Sequence, residues 1–482
     1  MRFLKNNYGL FIVLFLSFWA IKPLFIQGFF PIHDDVQVAR VFEMGKMLAS
    51  GVFPVRWVPD LGYGYGYPIF NFYAPLAYYV GGVFMLLGFD ALLATKIMMG
   101  LGVLLSGIFM YFLARKFFGE LGGVVSGMFY VYVPYHALDI YVRGDVAEFW
   151  AYAFIPLMAL GFYKRSILTG SIGFAGIILS HNLTSLMVTP FLLIAILLNC
   201  YIVPKGKKLS ILYHSSLILF LGLAVSAFYW IPALLEMKHT NVMSQIGGGA
   251  NFRDHFVCLQ QLWTSHWGFG GSAKSCIDGM SFMIGKLHIF SAFLSISILI
   301  YLKLKRKYFN NIYYLSIFAI LGFLISIFLM LDISKFLWEV IPVMAFFQYP
   351  WRFLILASFF SSILSGAVVF LSSQFKVKPY LTAFLLMFFL LFLNAKLFVA
   401  QTIFPAAAKD FTNERALKWI ASKTSDEFLP PDFKKPKSEK DVAKNPIPFK
   451  ETTLEKSSNV ASLIGALALV IGIIVRYGKN KR

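Results

Sequence analysis

Predominantly apolar runs recur along the whole chain, separated by breaks, short and long, that hold most of the charge. They lie near residues 8–27, 91–114, 121–137, 149–163, 166–180, 183–202, 211–234, 286–302, 312–331, 352–372, 380–400 and 459–475. A helix needs about 20 largely apolar residues to cross about 30 Å of hydrocarbon. The pattern therefore predicts an all-α membrane protein with about twelve transmembrane helices. The run from Tyr8 follows Arg2 and Lys5 but lacks a signal-cleavage pattern, and it reads as a retained span rather than a secretory signal.

The breaks orient these helices. Seven basic clusters fall between or beside them: Arg2 and Lys5; Arg115 and Lys116; Lys164 and Arg165; Lys205, Lys207 and Lys208; Lys303, Lys305, Arg306 and Lys307; Lys376 and Lys378; and Arg476, Lys479, Lys481 and Arg482. Their only acid is Glu120, so they read as cytoplasmic by the positive-inside rule. Both termini then lie on the cytoplasmic side of the cell membrane, and residues 28–90, 138–148 and 235–285 form external loops. The same parity keeps Ala74 to Phe89 from crossing and makes it re-entrant or interfacial. Residues 1–400 form the polytopic domain, and 459–482 form a last helix with a basic tail. Between them, 401–458 is an external arm rich in Lys, Glu, Asp and Pro, expected to be extended or weakly ordered.

Composition removes several function classes. Hydrophobic types make up 59% of the 482 residues and charged types 14%, against about a quarter charged in soluble proteins, which excludes a cytosolic enzyme. The net charge of +20 resides in clusters between apolar runs, so it speaks for membrane orientation and not for nucleic acid. Three cysteines without a CxxC make neither a disulfide scaffold nor a structural zinc site. Cys258 and Cys276 share one external loop, where a bridge is expected.

Candidate chemistry collects at the external ends of the spans. His33-Asp34-Asp35 opens the first loop. Carboxylates held there act as a general base or hold a cation, or Asp34 simply caps the following helix, Val36 to Ala49. That helix sets Val38, Val41, Phe42 and Leu48 against Arg40, Glu43 and Lys46, a pattern suited to the membrane surface. Beyond it, the alternating Gly and Tyr of residues 62–67 suit a groove for sugar or lipid, or an aromatic belt. His136, Asp139, Arg143, Asp145 and Glu148 lie close together in the second loop, as a charged site or as a self-paired, solvated loop. Ser180-His181-Asn182 follows Arg165 by a rise of about 22 Å, which puts His181 and Asn182 at the floor of an outward cavity; a structural His is the plainer alternative. Arg352, between Trp351 and Phe353, is placed either to grip a phosphate or to snorkel.

Together, His33-Asp34-Asp35, Phe53-Pro54-Val55-Arg56-Trp57, the Gly-Tyr series into Phe72-Tyr73-Ala74-Pro75-Leu76, Tyr141 to Glu148, Ser180-His181-Asn182 and Tyr349 to Phe353 resemble a bacterial family of polytopic membrane proteins catalogued as 6-pyruvoyl-tetrahydropterin-synthase-related. That family looks like a branch of the GT-C lipid-linked-sugar glycosyltransferases. The resemblance implies a GT-C-like bundle, a long first external loop with surface helices, and a polyprenyl-phosphate sugar as donor. It also implies Asp34 as catalytic base, with a second acid in the next loop. The last hundred residues carry no acceptor domain that this family would predict.

The expected function is therefore an inverting membrane glycosyltransferase of the cell envelope, passing a sugar to an external glycan, lipid or protein. Asp34 and Asp35 are the expected catalytic residues. His33, Arg56, Tyr73, Arg143, Asp145, Glu148, His181, Asn182 and Arg352 are expected to bind substrate, with Arg143 or Arg352 neutralising the leaving phosphate. No cofactor is called for, although a divalent cation could be held by the Asp pair. Two alternatives stand: a transporter or flippase of a lipid-linked envelope precursor, which needs ionisable groups deep in its spans, and a non-catalytic envelope assembly protein, which needs no cavity shared by Asp34, Asp145 and Arg352.

Overall fold

A single glycine decides how the longest helix is used. Ala91–Val131 is 41 residues of near-continuous helix, about 61 Å at 1.5 Å per residue and twice the span of a bilayer. At Gly119 the backbone turns to φ 72° and ψ −172°, a conformation open to glycine, and the two arms fold back on each other. A Cβ on Gly127 would stand 3.0 Å from the carbonyl oxygen of Gly107, so the arms meet backbone to backbone.

The computed structural model describes residues 7–242, 250–274, 276–305 and 310–479. Its main helices are α1 (Tyr8–Ile21), α2 (Gln37–Ala49), α3 (Leu76–Leu86), α4 (Ala91–Val131), α5 (Val146–Lys164), α6 (Ile167–Ser180), α7 (Asn182–Ile202), α8 (Lys205–Val225), α9 (Lys286–Leu304), α10 (Asn310–Met330), α11 (Leu354–Ser372), α12 (Pro379–Asn394) and α13 (Thr453–Lys479). Ten described helices are long and apolar enough to cross a membrane. Two causes separate ten from the expected twelve: α4 joins two runs across Gly119, and α6 has only 14 residues. The stretch expected not to cross forms α3, whose 11 residues rise about 16 Å, well short of the hydrocarbon. Arg2, Lys5, Arg306, Lys307, Lys481 and Arg482, part of the orientation argument, lie outside the described residues, as do the side chains of Arg476 and Lys479.

At the centre stands α11, buried on nearly every face against α4, α9 and α10. Its serines leave no polar group bare: Ser358, Ser362 and Ser365 each donate to the carbonyl four residues earlier, the usual solution in an apolar helix. By contrast, α12 and α13 keep large apolar side chains such as Phe388 and Ile474 exposed, as lipid-facing helices do.

Three expectations about the polar segments are corrected. Helix α2 is no surface helix, because Arg40 and Glu43 are buried along with Val38 and Val41 where it packs on α3 and α4. The Gly-Tyr series lines no open groove. Gly62, Gly64 and Gly66 take positive φ, and the rings between them clasp the arm: Tyr63 stacks on Phe433 at 6.1 Å and Tyr67 lies 6.1 Å from Phe428. The arm is not weakly ordered either. Leu417, Ala421, Phe428 and Leu429 are buried, the backbones of Ala443 and Ile447 donate to the carbonyls of Tyr63 and Tyr65, and Phe29 and Phe404 pair through two backbone bonds of 3.0 and 2.9 Å.

Candidate functional site

The first-loop acids are held by the second loop. Backbone N–H groups of His33 and Asp34 donate to the carbonyls of Val142 and Arg143 at 2.9 and 3.0 Å. This pairing requires Gly144, which turns at φ 63°; a Cβ there would lie 2.5 Å from Ile32 Cδ1. Gln37 Nε2 adds a bond of 2.8 Å to the Gly144 carbonyl. Asp34 caps nothing: the cap of α2 is Val36, and no side chain bonds there.

Behind this pairing lies a buried charge cluster centred on Arg143. Its Nη2 donates to Asp145 Oδ2 at 2.6 Å and to Glu148 Oε2 at 3.1 Å; its Nη1 donates to Tyr135 and Glu148, each at 3.1 Å, and also to Asp139. The Trp351 ring covers the guanidinium at 4.7 Å. Arg352 Nε approaches Glu148 Oε2 at 3.5 Å, while its Nη1 donates to the Phe347 carbonyl and to Gln348. Asp145 also caps α5, accepting from the Glu148 N–H at 3.1 Å.

Both groups open onto one cavity of about 1040 Å³. Of the residues expected to form the site, His33, Asp34, Tyr73, Arg143, Asp145, His181, Asn182 and Arg352 line it. Three do not. Asp35 is exposed and off the lining. Glu148 is buried behind Arg143. Arg56 is elsewhere altogether: its guanidinium bonds Asn71 Oδ1 at 2.8 Å and Asn459 Oδ1 at 2.6 Å, so it fastens the first loop to α13 rather than meeting a substrate.

The structure adds residues that the sequence pattern concealed. Arg40 lines the cavity, with the Tyr73 ring 4.4 Å away and its Nη2 donating to Ser425 Oγ at 2.9 Å. The arm supplies one wall through Thr424, Ser425, Asp426, Glu427 and Phe428. Its signal was present in the apolar pairs Leu417 with Ala421 and Phe428 with Leu429, masked by the Lys and Pro around them.

Electrostatics set the two facing acids apart. Dehydration by the packing around it, and then the Asp145 charge, push Asp34 up to about 7, although Arg40 and Arg143 pull the other way. Burial would raise Asp145 too, but Arg143, His181 and Arg352 overcome it and hold that carboxyl down to about 2. Burial likewise pushes Asp139 well above the usual carboxylate range. The result is an ionised Asp145 beside an Asp34 poised near neutrality, the arrangement that sorts a base from a fixed charge. Among the described residues no group of three His, Cys, Asp or Glu side chains could hold a metal ion, and Asp145 is paired with Arg143.

No family model matches the chain. An uncharacterized protein of Lactococcus lactis subsp. cremoris (strain MG1363) is 27% identical over 255 residues, which is 49% of this chain and 41% of that protein. The chain thus spans less than half the length of that curated relative. Among solved structures, the apo oligosaccharyltransferase of Archaeoglobus fulgidus superposes with a TM-score of 0.52 at 12% identity, covering 96% of this chain and 65% of that one. The fold is therefore GT-C-like. ArnT from Cupriavidus metallidurans, solved with undecaprenyl phosphate, has a TM-score of 0.37 at 12% identity over 83% of this chain and 89% of its own, too low to bear on this molecule. The resemblance to the pterin-synthase-related family rests on the sequence motifs alone.

Proposed function

We propose that the chain is a glycosyltransferase of the cell membrane, which moves a sugar from a polyprenyl monophosphate to an acceptor hydroxyl on the extracytoplasmic side. The observation that carries this reading is the convergence of Asp34, Asp145, Arg40 and Arg352 on one cavity, within a bundle that shares its fold with an oligosaccharyltransferase. An assembly scaffold gives no reason for that convergence.

In the proposed reaction the acceptor oxygen forms a bond to the sugar's anomeric carbon on the face opposite the phosphate, and the bond from that carbon to the phosphate oxygen breaks. The acceptor proton passes to Asp34, and the electron pair leaves on the polyprenyl phosphate. A base near neutrality takes a proton well at physiological pH. Arg352 is the better partner for the leaving phosphate, because both Nη atoms of Arg143 are engaged by carboxylates while Arg352 Nη2 has no hydrogen-bond partner among the described residues. Arg143 fixes Asp145, and Asp145 keeps Asp34 basic.

The test uses the full chain in proteoliposomes with labelled polyprenyl-phosphate sugars and membrane extracts as acceptor source. Transfer by the wild type, reduced at least about a hundredfold in Asp34→Asn, the scale for loss of a general base, supports the reading. Equal transfer by both proteins overturns the role of Asp34.

A further inference from the structure

Another large cavity lies at the other end of the bundle. Helix α5 begins at the candidate site with its Asp145 cap and ends at Lys164, about 28 Å away at 1.5 Å per residue. There a cavity of about 790 Å³ opens between α4, α5, α7, α8, α10 and α11. Its walls are apolar, with Phe191 and Phe360 in contact at 5.5 Å, and Lys116, Lys164, Arg165 and Lys207 are its charged residues among those described. Among the described residues no Asp or Glu lines it.

These four cations come from three separate breaks in the chain and gather without an acid among the described residues to neutralise them. None forms an ion pair among the described residues. Arg165 is held in place by its left-handed backbone at φ 53° and by a long contact of 3.5 Å to Ser210 Oγ. A cationic mouth over an apolar interior, set where transmembrane helices end, matches a phosphate with hydrocarbon attached to it. A free anion would use only the mouth, and a neutral lipid only the interior.

We infer that this cavity binds one anionic glycerophospholipid of the leaflet at that end, its phosphate among Lys116, Lys164, Arg165 and Lys207 and an acyl chain between α7 and α10. The site is separate from the sugar-transfer cavity, so it stands whether or not the proposed reaction is right.

The test is native mass spectrometry of the full chain released from micelles holding equal phosphatidylglycerol and phosphatidylcholine. The wild type is expected to retain phosphatidylglycerol at least about fivefold over phosphatidylcholine, with no displacement by millimolar inorganic phosphate. Lys116→Gln/Lys164→Gln/Lys207→Gln is expected to lose that preference. Ala195→Trp, which fills the apolar wall and keeps every charge, is expected to lose the bound lipid. Lys434→Gln/Lys437→Gln/Lys440→Gln, an equal change of charge in the arm, is expected to keep it. Equal retention of the two lipids, unchanged preference in the first triple variant, loss in the arm variant, release by phosphate alone, or replacement by polyprenyl phosphate would each overturn the assignment.

Discussion

At the residue scale, Asp34 and Asp35 share a chemistry and differ in surroundings. Asp34 lines the cavity with Asp145, and Asp35 is exposed and lies off the lining. Transfer assays should therefore show the hundredfold loss for Asp34→Asn and a small change for Asp35→Asn; the reverse order would move the base by one position. The pH profile carries a second prediction. A base must be ionised, so kcat/KM should rise with pH through about 7, where Asp34 is held, and level off above it. Asp145 raises the affinity of Asp34 for its proton, so Asp145→Asn, which keeps the ability to cap α5, should move the midpoint to lower pH. An unmoved midpoint would mean that Asp34 does not titrate in the assay.

At the scale of elements, the joints matter more than the helices. Gly144 lets the backbone after Ile32 close on the second loop, and Gly144→Ala sets a methyl 2.5 Å from Ile32. That change should cut transfer more than it lowers the unfolding temperature, because the clash displaces Asp34 directly. Arg56 gives the opposite balance. Arg56→Met removes a buried cation from Asn71, Asn459 and Glu451 and leaves the buried Asn71 amide oxygen without its donor, a destabilising loss. Thermal unfolding in detergent should fall markedly while KM for the donor stays put; a raised KM with normal stability would restore Arg56 to the binding site. Cys258 and Cys276, with Cα atoms 5.5 Å apart, are joined, and non-reducing mass spectrometry should find the bridge.

At the scale of the molecule, a good part was legible in the sequence. Run length announced the helices, and loop composition brought Asp34, Asp145, His181 and Arg352 to the same end of the bundle. What failed was any inference from local polarity alone. Arg40 and Glu43 read as solvent-facing, Arg56 as a substrate ligand and the Lys-rich arm as loose, because a chain pattern shows how many charges a segment has and not whether another segment will cover them. Orientation rests on parity, which cysteine labelling checks: positions 50 and 440 should react from outside and position 116 from inside, and labelling of 116 from outside would invert the scheme. The docked arm also bears on timing. The loops that carry Asp34 and Asp145 emerge early in synthesis, but Thr424 to Phe428 close the cavity wall, and Arg56 finds Asn459 only when α13 has been made. A ribosome stalled before the arm leaves both acids in a cavity that lacks one wall, so under the proposed reaction a nascent chain is expected to transfer no sugar until translation has passed residue 459.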